Sequence, residues 1–246
     1  MFVLLPPSEG KRAASRGKAL DLAELSAPEL NPAREKVLDA LTGMSPDEAR
    51  AALGLSAGQD GEIARNAALR TAPAAPAAKV YSGVLYEAFD PATLTAAAKR
   101  YANRRVLVYS ALWGVVRLGD RIPAYRCSAG VRLPGVGGLT AFWRKQDLAP
   151  PPGLVLDLRS TGYAAMWPPD GRTVTVRILH ERDVNGVPQR SVVSHFNKAT
   201  KGRLVRTLAT RNVLPRNRKQ LVEALRDLGY TVEETDAGVD LVVTEI

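Results

Sequence analysis

The sequence is poor in the residues that build metal and redox centres. Its 246 residues include one cysteine, Cys127, and two histidines, His180 and His195. A single thiol excludes an internal disulfide framework, and so few ligands make no zinc-type cluster. Long hydrophobic runs are also missing. No stretch approaches the roughly 18 apolar residues of a membrane helix, and the N-terminus lacks the basic start and apolar core of a signal peptide. These absences predict a cytoplasmic protein with no cofactor, no metal and no membrane partner. Acidic residues are the last shortage. Asp and Glu total 25 against 34 Lys and Arg, a formal net charge of +9, and such an excess favours polyanionic partners through counterion release.

The shortage of acid is local. Arg203 to Arg218 (RLVRTLATRNVLPRNR) holds five arginines and no carboxylate, with Lys198 and Lys201 just before it and Lys219 after. Ala23 to Glu62 is balanced or acidic. One face near the C-terminal third is therefore expected to be positive.

What is present reads as a mixture of strands and helices without a clean βαβ repeat, which predicts a mixed α/β (α+β) fold. Phe2–Leu5, Arg105–Leu112 and Leu154–Leu158 are short apolar runs of the kind that form buried strands. Thr173–His180 and Val187–Val193 alternate around Asp183–Gly186 and predict an antiparallel pair. Helices are expected over Pro32–Leu41, after the Ser45 cap, over Gly58–Leu69, over Asp90–Tyr101 with Asp90 as cap, over Lys198–Arg211, and over Asn217–Leu228. Lys79–Leu85 reads as a turn.

Several stretches carry chemistry. Pro6-Pro7-Ser8-Glu9-Gly10-Lys11 follows a strand directly. A phosphate-binding P-loop would need Gly where Leu5 stands and Ser or Thr where Arg12 stands, so that motif fails. The prolines stiffen the exit from the sheet and set Ser8, Glu9 and Lys11 where open sheets carry ligands. Ser110 to Arg126 brings Trp113, Arg117, Tyr125 and Arg126 after a second strand, suited to stacking on and pairing with an anionic or aromatic ligand. Asp157 to Tyr163 offers a carboxylate, Ser160 and the Tyr163 phenol after a third. A serine nucleophile there would need a base, with His195 the candidate, and no G-x-S-x-G elbow is present. Lys198, Lys201 and Arg206 share one face of a helix, which suits phosphates. Leu133-Pro134-Gly135-Val136-Gly137 reads like the hairpin of a helix-hairpin-helix DNA-binding element, whose backbone N–H groups would meet a phosphate.

Taken in order, LLPPSEGK, YSGVLYEAFD (from Tyr81), SALWGVVRLGDRIPAYR, LDLRSTGY and HFNKATKGRLVR resemble the YaaA family of peroxide stress proteins, also called UPF0246, along nearly the whole chain. The resemblance implies one domain over residues 1–246, a role in limiting oxidative damage, and binding of double-stranded DNA through a positively charged cleft; the ligand expected of that cleft is DNA or a nucleotide-like anion. It implies no established reaction. The family's recurring polar positions match Ser8, Lys11, Tyr81, Gly83, Trp113, Gly114, Arg117, Tyr125, Arg126, Ser160, Tyr163, Lys198, Lys201 and Arg206. An alternative is an enzyme acting on a nucleotide or nucleobase in the same cleft, with Lys11 as electrophile or imine former and Glu9 or Asp157 as acid or base. The cleft itself is expected to form from the loops after Leu5, Leu112 and Leu158, with the Lys198–Arg206 helix as a wall.

Overall fold

The computed structural model describes residues 1–185 and 187–244, so Gly186 of the expected turn lies outside the described residues. In chain order the strands are β1 (Phe2–Leu5), β2 (Ala75–Pro76), β3 (Val106–Ser110), β4 (Gly114–Arg117), β5 (Arg121–Ile122), β6 (Arg132–Leu133), β7 (Gly137–Gly138), β8 (Val155–Asp157), β9 (Thr173–Val184), β10 (Val187–Ser191), β11 (Thr231–Thr235) and β12 (Gly238–Val243). The helices are α1 (Asn31–Thr42), α2 (Pro46–Leu53), α3 (Asp60–Ala67), α4 (Ala77–Val80), α5 (Val84–Phe89), α6 (Ala96–Arg105), α7 (Leu139–Arg144), α8 (Thr161–Ala164), α9 (Ser194–Thr210) and α10 (Arg218–Asp227). The fold is α+β, as expected.

A mixed eight-stranded sheet runs β11-β12-β9-β8-β1-β3-β4, with β10 paired to β9. Its five inner strands are parallel, while β11 and β4 close the two edges antiparallel. Parallel strands are covered on both faces, which is why β1 and β3 read as unbroken apolar runs and are buried throughout. The chain moves from β1 outward to β3 and β4, then returns to lay down β8, β9 and β12 on the other side. The order thus reverses between β1 and β8, the place where open sheets leave a crevice beyond their C-terminal strand ends. Strand β9 adds to it. Only Thr173–Thr175 pair with β8, so the rest of β9 overhangs the end of its neighbour.

Local rules explain most boundaries. Ser45 and Glu48 form a capping box on α2, Asn217 caps α10, and Gly229 follows α10 with φ 87°. The expected helix over Asp90–Tyr101 is broken. Asp90 is left-handed (φ 45°), Pro91–Thr93 forms a 3-10 turn, and α6 starts after Thr95, whose hydroxyl accepts from the Ala98 N–H. Thr95 is a second cap within the same stretch, and it prevails. Lys79–Leu85 is not one turn: α4 ends within it and α5 begins. The helix-hairpin-helix expectation is also corrected. Leu133 to Gly137 closes a two-stranded β-hairpin of β6 and β7, with α7 after it and no helix directly before it. Pro134 and the left-handed Gly135 and Gly137 serve that turn.

Candidate functional site

Beyond the switch point lies a cavity of about 850 Å³. The loop after β1 supplies Pro6, Ser8, Glu9 and Lys11. The loop after β8 supplies Leu158, Arg159, Ser160 and Tyr163. Thr175 to Ile178 of β9, Asn197, Lys198 and Lys201 of α9, and Arg126–Ser128 add further walls. A smaller pocket of about 240 Å³ adjoins it, sharing Lys198 and the Pro6–Glu9 loop and reaching Gly83.

The β1 loop is held in place by its own Ser8 and Lys11 side chains and by the Tyr81–Ser82 segment beside it. Ser8 Oγ donates to Gly10 O and accepts the Ser82 N–H at 3.0 Å. Lys11 bridges to Tyr81 across an isolated β-bridge. Its Nζ donates to Ser8 O at 2.8 Å and Glu9 O at 3.3 Å, and sits 4.1 Å from the Tyr125 ring centroid. Burial pushes the Lys11 ammonium down to about 8. Behind it, Tyr125 shares hydroxyl hydrogen bonds with Tyr81 (3.1 Å) and Ser110 (2.7 Å), and burial raises both phenols. Cys127 also lines the cavity, and burial pushes its thiol up to about 12.

The β8 loop is built on a buried ion pair. Arg159 Nε and Nη2 reach the two Asp157 oxygens at 2.9 and 2.7 Å. The guanidinium lies over Tyr109 (4.2 Å) and Trp167 (5.5 Å) and donates to Tyr163 O and Trp167 O. Both Asp157 oxygens are engaged this way, and Asp157 does not line the cavity. From the facing helix, Lys201 Nζ donates to Leu158 O at 2.9 Å and is lowered by desolvation. Glu9, the carboxylate of the cavity wall, pairs with Arg126. Arg177 pairs with Asp240 (Nε–Oδ1 2.8 Å). Among the described residues, Lys11, Lys198 and Lys201 have no carboxylate partner.

The structure therefore gathers Ser8, Glu9, Lys11, Arg126, Ser160, Tyr163, Lys198 and Lys201 at one cavity. It leaves the rest elsewhere. Tyr81 and Tyr125 stand behind Lys11 in the core. Trp113 is fully buried, edge-on to Tyr125. The loop after β3 is no wall: Ala111–Trp113 turn straight back into β4. Gly114 is left-handed, and a Cβ there would meet Trp143 at 2.7 Å. Arg117 donates to the carbonyls of Asn103 and Arg104 at the end of α6. Arg206 donates to Phe89 O, Asp90 O and Thr93 Oγ1. His195 is exposed, and neither it nor the β6–β7 hairpin lines the cavity. Two features escaped the sequence. Arg34, fully buried, ties the carbonyls of Ala27, Ser26, Trp113 and Val115 together. The β9 wall depends on strand register. Among the described residues no group of three or more His, Cys, Asp or Glu could hold a metal, and no helix is long and apolar enough to cross a membrane.

Comparison with known proteins agrees along the chain. The family model described as peroxide stress protein YaaA matches residues 1–236. A UPF0246 protein of Streptomyces coelicolor is 55% identical over 245 residues, covering 95% of this chain and 92% of its own. A UPF0246 protein of Corynebacterium efficiens is 43% identical over 240 residues, with 95% of each chain covered.

Proposed function

Because the chain belongs to the YaaA (UPF0246) family of peroxide stress proteins, we propose that it is a cytoplasmic binder of nucleic-acid phosphate acting in the peroxide response. The ligand is a nucleotide-like anion, free or carried by double-stranded DNA, taken at the switch-point cavity by Lys11, Lys198 and Lys201. One observation carries this. Three lysines from two separate elements reach one cavity, and none of them has a carboxylate partner among the described residues. Cations without a counter-ion favour an anionic ligand, the more so where burial strips water from them as it does at Lys11 and Lys201, and the crevice at a sheet's switch point is where such ligands are held. Shape and phosphate dominate the recognition, so sequence specificity is expected to be low.

Fluorescence anisotropy with a labelled duplex tests this. Affinity should fall linearly in log K against log salt. The double variant Lys198→Ala/Lys201→Ala should reduce that slope by about 1.8, near 0.9 per lost phosphate contact. An unchanged slope removes these lysines from the interface.

A further inference from the structure

We propose that Lys11 is a carbonyl-trapping amine. The cavity takes a small phosphorylated hydroxyaldehyde, whose aldehyde carbon condenses with Lys11 Nζ while its phosphate lies against Lys198 and Lys201. The phosphate half rests on the anion reading above; the covalent half stands on Lys11 alone.

Position comes first. Nζ lies at the wall of the cavity, fixed by two carbonyls of a loop that Pro6 and Pro7 stiffen. A lysine with an ordinary structural role spends its charge on a carboxylate or on water. This one is half-buried in the cavity wall and, among the described residues, has neither Glu9, which is paired with Arg126, nor another acid in contact. Desolvation of that kind is what makes a lysine nucleophilic near neutral pH. The thiol of Cys127 is the rival nucleophile in the same wall. Burial keeps it protonated, with its pKa at about 12, while the amine loses its proton near 8. The amine is therefore the group poised to attack.

The surroundings also suit the product. Amine and aldehyde first form a carbinolamine: an N–C bond is made and an amine proton passes to the former carbonyl oxygen. The C–O bond then breaks, the hydroxyl leaves with a solvent proton as water, and an iminium remains. The balance is R–CHO plus Lys–NH3⁺ giving R–CH=NH⁺–Lys plus H2O, with no oxidant or reductant. The iminium keeps the positive charge, so the Tyr125 ring face at 4.1 Å stabilises it as it does the ammonium. Its remaining N–H can still donate to Ser8 O.

Reductive trapping on the intact protein tests this. Wild type is incubated at pH 8 with cyanoborohydride and either glycolaldehyde or glycolaldehyde phosphate, and the modified peptides are mapped by mass spectrometry. Lys11 should be labelled ahead of the exposed Lys18 and Lys36 by both probes. The phosphate ester should label it at least about tenfold faster, the worth of one charge-assisted contact of roughly 1.5 kcal/mol. Labelling of Lys11 no greater than that of Lys18 and Lys36 overturns the proposal, whatever a Lys11→Arg variant does to folding. Equal rates for the two probes overturn the phosphate half and count against the anion reading. Protection of the cavity by the ester without a Lys11 adduct overturns the covalent half and leaves the anion reading standing.

Discussion

Lys11 is the residue whose chemistry depends most on its surroundings. Free in water its ammonium would persist beyond pH 10; in the cavity wall it gives up its proton at about 8. A phosphate beside it favours the charged form, so binding takes up a proton above pH 8. Affinity for a nucleoside monophosphate should hold steady from pH 7 to 8. It should then fall as pH rises toward 10, by up to about tenfold per unit for one linked proton. Calorimetry would read this, and Lys11→Met should bind more weakly with most of the pH step gone. A wild-type affinity flat across that window would mean that Lys11 takes no part. Arg159 is a different kind of charge. Its side chain is entirely buried against Asp157, so Arg159→Met strands a carboxylate in the core. The expected loss is about 3–5 kcal/mol in denaturant unfolding. Arg159→Met/Asp157→Asn should recover part of it, because no lone charge then remains buried.

At the scale of elements, the question is how α9 is brought to the cavity. Gly202 interrupts its row of cations. The structure gives that glycine a packing task. A Cβ at 202 would lie 2.2 Å from Leu85 O and 2.9 Å from Phe89 N. Only glycine lets α9 rest on α5 this closely. Arg206 supports the same contact by satisfying the carbonyls at the end of α5, where a cation is favourable. Gly202→Ala should therefore cost about 2 kcal/mol despite the better helix propensity of alanine, and should weaken duplex binding by moving Lys198 and Lys201. Arg206→Ala should cost about 1 kcal/mol and leave the salt slope of binding intact. A Gly202→Ala variant as stable as wild type would show that α9 does not depend on this approach.

Elements also show what can be read from residues in order. Phe2–Leu5 announced a covered strand because both of its faces are buried and every residue is apolar. Ser45 and Asn217 mark helix starts in the sequence because capping is local. The six residues of α5 were too few to show a helical period, and their helix is sustained by α9 from more than a hundred residues away. Arg34 gave no signal, since nothing near it in sequence marks the carbonyls it gathers. The loops after Leu5 and Leu158 meet at the cavity because parallel strands end at a common edge. The loop after Leu112 does not reach it, because pairing turns β3 back at once into β4.

For the whole molecule, the central claim is that one cavity, set where the strand order reverses, takes the phosphate of its ligand. The net charge of +9 would draw a polyanion to the surface in any case, so loss of affinity in high salt cannot by itself locate the site. Lysine acetylation with and without a short DNA duplex can. With acetic anhydride at low reagent excess and peptide mass spectrometry, Lys198, Lys201 and Lys11 should be protected by the duplex. Lys36, Lys99 and Lys219, which do not line the cavity, should react as in the free protein. Protection of Lys99 or Lys219 with Lys198 and Lys201 still reactive would contradict the account.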